Sequence, residues 1–150
     1  MNPSLYPGKS RVAPLTREDR LQRAFPEVDP GVKPLGSRLL VQIRRAPKTT
    51  ASGNILLTEE SKDTEKWNTQ IAKVLALGPI AFHNRNTMTL WPEGKWCSPG
   101  DFVRVPKYAG DRWEVAIPGE DNEHALFAIF NDLDIIGLVT GDPLVIKAYV

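Results

Sequence analysis

From Ser37 onward, apolar side chains recur at every second position. Leu39, Val41 and Ile43 alternate with Leu40, Gln42 and Arg44, which is the period of a β-strand, and Leu40 makes the second face partly apolar as well. A strand covered on both sides fits a small closed barrel. Comparable runs follow at 70–78 (QIAKVLALG), 101–105 (DFVRV), 112–117 (RWEVAI) and 125–130 (ALFAIF). Turn chemistry separates them: in SPGD (98–101), proline presets the first corner and glycine takes the positive φ of a type II turn, and YAGD (108–111) reads as another turn. Short strands at this spacing predict an all-β barrel or sandwich.

Two stretches break the rhythm. The first, Arg44 to Asn68, is far longer than a hairpin needs, and such loops are functional or disordered. It carries one apolar triplet, Ile55-Leu56-Leu57, among small, polar and charged residues. The second, Pro79 to Cys97, has HNRN (83–86) at its tip between IAF and MTLW, the pattern of a β-hairpin projecting from the barrel. Upstream, Pro3, Pro7, Pro14, Pro26 and Pro30 prevent long helices. Only Leu15–Phe25 suits a short helix, with Thr16 as its cap and Leu21 and Phe25 on one face. This region is either an arm lying on another surface or a disordered tail.

A chain of 150 residues suits one domain plus an arm, and 41% hydrophobic with 25% charged residues is ordinary for a globular protein. The formal net charge of +1 gives no electrostatic case for nucleic acid. It divides unevenly: residues 1–45 hold nine Lys/Arg against four Asp/Glu, and the remainder ten against fourteen. The single cysteine, Cys97, excludes an internal disulfide and suggests a reducing cytoplasm. Neither a signal peptide nor a membrane-spanning run is expected.

The sequence offers no catalytic constellation. His83 and His124 both sit among polar residues expected to be loops, and Cys97 reads as a packed thiol at the start of a strand. GEDNEH (119–124) lacks the spacing of a known metal loop and reads as a solvated turn. No phosphate-cradling glycine motif is present, so neither an enzyme nor a metal or nucleotide cofactor is expected.

The ordered set of motifs resembles the GroES-type co-chaperonins. KPLGSRLLVQI carries the Pro-Leu pair and following Arg of the family's first strand (Pro34, Leu35, Arg38), and ASGNILLT carries the glycine and aliphatic triplet of its mobile loop. VLALG (74–78), SPGDFVRV (98–105) and FAIFNDLDIIGLV (127–139) follow in the family's order. Asn54 replaces a frequent second glycine, a mild change because asparagine tolerates left-handed backbone. The resemblance covers about residues 33–139. It implies a GroES-like β-barrel with a mobile loop at 44–69 and a roof excursion at 79–97, between an N-terminal arm (1–32) and a C-terminal tail (140–150). The extra arms and the aromatic excursion (Phe82, Trp91, Trp96) look more like members encoded by large bacteriophages, which would act in a host's cytoplasm.

The family's function, implied for this chain, is to cap a GroEL-type chaperonin so that client proteins fold in a closed chamber, with ATP bound by the chaperonin alone. Gly53, Asn54, Ile55, Leu56, Leu57 and Thr58 would dock on the chaperonin; otherwise the triplet is one more barrel strand. His83, Asn84, Arg85 and Asn86 would surround an open oculus in the roof, or form an ordinary surface loop. A homo-oligomeric ring, a heptamer in this family, would place Leu39, Val41 and Ile43 against a neighbour's Ile135, Ile136, Leu138 and Val139, unless these residues close the subunit's own core. The apolar tail PLVIKAYV is expected to pack across a subunit boundary or along the barrel. Two other classes compete. A zinc-dependent dehydrogenase barrel lacks its dinucleotide domain here, and a nucleic-acid-binding barrel would need Trp67, Trp91 and Trp96 as a stacking surface.

Overall fold

A computed structural model describes residues 16–45 and 70–146. The docking triplet and its flanks, Gly53 to Thr58, lie outside the described residues, as do Trp67 and the last four residues of the tail. In chain order the described elements are helix α1 (Arg17–Ala24) and strands β1 (Arg38–Ile43), β2 (Ile71–Leu77), β3 (Phe102–Arg104), β4 (Asp111–Ala116), β5 (His124–Asn131) and β6 (Gly137–Leu138), with a 3-10 turn at Asp132–Asp134 before β6. All strand pairs are antiparallel. They form one sheet in the order β4-β5-β1-β2-β3-β6. The fold is all-β, as the alternation at 37–43 and the four later runs predict.

The sheet wraps around one interior. Leu39, Val41 and Ile43 point into it from β1, Ala128 and Phe130 from β5, and Val74 and Val103 from β2 and β3. The other face of β5 buries Ala125 and Phe127 with Ile117. Both faces of β1 are therefore covered, the second by the arm rather than by a second sheet. β2 keeps its role on both faces through a bulge: Leu40 pairs with Ala76 but Val41 pairs with Val74, which leaves Leu75 as the extra residue. Val74 and Leu77 consequently both meet the interior, while Leu75 joins the outer cluster with Val28.

The SPGD turn has its expected form. Gly100 has φ 99°, Asp101 N–H donates to the Ser98 carbonyl, and the Asp101 carboxylate accepts from Ser98 N–H. Helix α1 also forms as predicted, with a complete capping box in which the Thr16 hydroxyl accepts from Asp19 N–H and the Asp19 carboxylate accepts from Thr16 N–H. His124 stands at the first position of β5 and not in a loop, its ring 3.9 Å from the Glu114 carboxylate across the strand pair. Among the described residues no helix is long and apolar enough to cross a membrane, and no cluster of metal-ligating side chains occurs.

Candidate functional site

The barrel has two dissimilar ends. At one, β1 finishes and β2 begins, and residues 46–69 lie between them. Arg44 N–H donates to the Ile71 carbonyl at 2.8 Å, so the two roots of the interruption are paired to each other. At the other end stands the excursion of residues 79–97.

The arm reaches the root end. Ala24 and Phe25 are buried with Ile71, and Leu21, Phe102, Val139, Leu144 and Ile146 pack around them; the Phe25 and Phe102 rings lie 5.2 Å apart. Side chains of the barrel hold the arm by its carbonyls: Gln42 donates to Pro26 O at 2.6 Å, Arg45 to Arg23 O at 2.8 Å and the Trp113 indole to Pro30 O at 2.9 Å. The tail lies beside the arm, along the barrel. The Arg44 guanidinium donates to the carbonyls of Pro143 and Ile146. Arg17 pairs with Asp142 at 2.9 Å. Burial, with Arg104 close by, brings the Arg44 pKa down to about 10. The Leu144 amide and Arg17 hold the Asp142 carboxyl below the usual range.

At the opposite end the excursion is a hairpin reduced to one bridge, His83 with Leu90. Asn84 shapes its tip, accepting from the amides of Asn86 and Thr87 through its side chain. Asn84, Arg85 and Asn86 are exposed and His83 is half-buried, its Nδ1 2.8 Å from Ala81 O. Arg85 turns back over Gly36. A shallow depression of about 420 Å³ opens beneath the tip between His83, Arg85, Asp132 and Asp134. Next to His83 in the chain, Phe82 is fully buried at φ 64°, a conformation a bulky residue adopts only when its surroundings hold it there. The holder is Asp132, itself buried, whose carboxylate accepts Phe82 N–H at 2.9 Å. Trp91 and Trp96 are half-buried and pack on Phe82 with centroids 5.4 and 5.9 Å away. Cys97 is buried, and burial followed by the charge of Asp101 pushes its thiol up to about 11, the behaviour of a packed and unreactive side chain.

The residues expected at a ring interface divide. Leu39, Val41, Ile43 and Ile135 are buried in the subunit's own core, and β1 is paired on both edges, by β2 and β5. Val139 is half-buried against the Ile71 cluster. Leu138 in β6, whose outer edge is unpaired among the described residues, and Ile136 just before that strand are exposed at 50% and 59%, and Val32 and Leu35 are exposed in the segment before β1. Sequence reasoning assigned no role to Gln42, Arg44, Arg45 and Asp132; Gln42 and Arg44 fall on the face of β1 that the alternation marks as the more polar one, where their burial carries no signal.

Residues 31–139 match the family described as Chaperonin 10 Kd subunit. The chain is 34% identical to the "Co-chaperonin GroES" of Streptomyces coelicolor, over 72% of this chain and 89% of that protein. It is 33% identical to the protein of the same name from Methylacidiphilum infernorum, over 76% and 99%. That from Caldicellulosiruptor bescii is 29% identical over 72% and 96%. The matched span takes in the whole sheet and the excursion while leaving out the arm up to Pro30 and the tail, and on it the chain belongs to the Chaperonin 10 Kd subunit family.

Proposed function

We propose that this protein is a co-chaperonin: it caps a GroEL-type chaperonin and closes the chamber in which client proteins fold, without catalysing a reaction itself. The observation that carries the reading is the family match over residues 31–139, with an aliphatic triplet placed between the paired roots at Arg44 and Ile71. ATP belongs to the chaperonin, and the protein works in the cytoplasm, that of a host if a bacteriophage encodes it.

Ile55, Leu56 and Leu57 insert into an apolar groove of the chaperonin, Gly53 and Asn54 supply the bend before them, and Thr58 ends the contact. Burying one such side chain is worth about 1.5–3 kcal/mol, so three supply on the order of 5–9 kcal/mol before costs. Ordering each backbone residue opposes this by about 1–2 kcal/mol, so one docked segment binds weakly. A ring of subunits restores affinity, because after the first contact the others bind at high effective concentration. We assign the ring contact to the edge of β6 that is unpaired among the described residues, with Leu138 and the preceding Ile136, meeting a neighbour's Val32 and Leu35, in a ring of seven as in the family. His83, Asn84, Arg85 and Asn86 then line the opening in the roof, where repeated Arg85 charges keep it from sealing.

The test mixes the protein with a bacterial chaperonin and ATP and looks for capped complexes by electron microscopy. Wild type caps; Leu56→Asp does not. Equal capping by both removes the triplet from the contact, and no capping by wild type removes the function.

A further inference from the structure

The roots of residues 46–69 are gripped by segments outside the family span. Arg45 is the last described residue before the interruption, and its amide donates not to the barrel but to Ala24 O in the arm, at 3.1 Å. Its side chain reaches Arg23 O as well. One residue earlier, the Arg44 guanidinium is bound to two tail carbonyls, and on the returning side Ile71 is fully buried against Phe25 and Ala24. Residues 26–30 do a separate job, covering the outer face of the sheet through Gln42, Val28 and Trp113. Covering that face would not require α1 or the tail to reach the roots at all.

We propose that α1, Phe25 and residues 143–146 form a clasp on these roots, and that the clasp sets how strongly the Ile55–Leu57 triplet docks. This rests on the co-chaperonin reading above. With the clasp closed, Arg45 is ordered before docking begins; with it open, its ordering is charged against every docking event. In a ring the difference recurs at each subunit, so a modest change at one root becomes a large change in capping.

Two full-length variants open the clasp from opposite sides. Phe25→Ala removes the ring that packs on Ile71 and Phe102, and Arg44→Met keeps the stem while removing the donors to the tail. Each is followed by hydrogen exchange at the Arg44 and Arg45 amides and along β1 and β5, by light scattering for ring size, and by titration of capping on a bacterial chaperonin with ATP. The expected result is faster exchange at Arg45, unchanged protection of the β1–β5 amides, an intact ring, and a half-maximal capping concentration raised by about tenfold or more, tenfold being the cost of fixing one further backbone residue at a single subunit. Faster exchange at Arg45 with capping at the wild-type concentration overturns the clasp and leaves the co-chaperonin reading standing. Unchanged exchange at Arg45 in both variants overturns it too, because the arm then does not hold the root. Should Phe25→Ala lose its β1–β5 protection, Arg44→Met decides alone. Failure of the wild type to cap overturns the co-chaperonin reading, and this inference with it.

Discussion

At the roof end the chain is held by its own backbone and one buried carboxylate, whereas at the root end long side chains supplement the backbone pairs by reaching for the carbonyls of the flanking segments. Gly78 N–H donates to Arg38 O at 2.7 Å and Ile80 N–H to Gly36 O at 3.1 Å, and the Asp132 carboxylate fixes Phe82 in its left-handed conformation. At the root end Gln42, Arg44 and Arg45 hold Pro26, Pro143, Ile146 and Arg23 through long, rotatable stems. Backbone contacts of the first kind leave no slack, so the roof tolerates little change. Contacts of the second kind can open singly without unfolding the sheet. The first arrangement lies within the family span and the second joins that span to residues on either side of it.

The largest effect that would sharpen this contrast is Gly78→Ala. A Cβ there collides with the backbone oxygens of Gly36 and Arg38, neither of which can swing aside. The expected loss is about 3 kcal/mol, read as a lowered thermal or urea midpoint of the whole sheet. A variant as stable as wild type would show that the roof backbone has slack after all.

Asp132→Leu comes next. It strands the buried Phe82 N–H, at a cost of about 1–3 kcal/mol, and releases the excursion from the turn before β6. Proteolysis within 83–90 should accelerate while protection of the Arg45 amide stays at its wild-type value. Loss of protection at both ends together would mean that the two ends are one cooperative unit.

The smallest effect uses Cys97 as a reporter. Its thiol pKa is raised from 9.0 to about 11 in the folded protein, so the native state keeps a proton that the unfolded chain gives up. That contribution to stability is complete below about pH 9 and is lost as pH rises through about 11. Denaturation midpoints measured at pH 8, 9, 10 and 11 should fall across this window, and a Cys97→Ala variant should flatten the fall. Alkylation at pH 8 should be slow in the native protein and unaffected by loosening the arm with Phe25→Ala. Rapid alkylation in that variant would break the separation of the two ends.

The difference between the ends also explains what could be read from the sequence. The strands at 37–43, 70–78, 101–105, 112–117 and 125–130, the Thr16 cap and the SPGD turn were legible because each is decided by neighbours within a few residues. The covering of β1 was not. Alternation shows that Leu40 and Leu39 both want burial but not which segment buries each, so Leu39, Val41 and Ile43 fit an interface and a core equally well until β2 and β5 are seen on either side. Asp132 and Arg44 were hidden for a similar reason: their partners, Phe82 N–H and the Pro143 carbonyl, lie 50 and 99 residues away and belong to the backbone, which carries no sequence signature. The helix at 17–24 was visible, while its grip on Arg45 was not.

The bulge at Leu75 has a consequence of phase. Along an unbroken strand, inward and outward positions keep strict time, and Val74 and Leu77, three apart, would fall on opposite faces. The extra residue delays the beat by one, so the half of β2 nearer the roof is out of step with the half nearer the roots. Each half is thereby matched to its own surroundings, and Leu75, at the join, turns outward into the same cluster that Val28 of the arm packs against. A chain so phased can change the covering on its outer face without retuning the interior behind it.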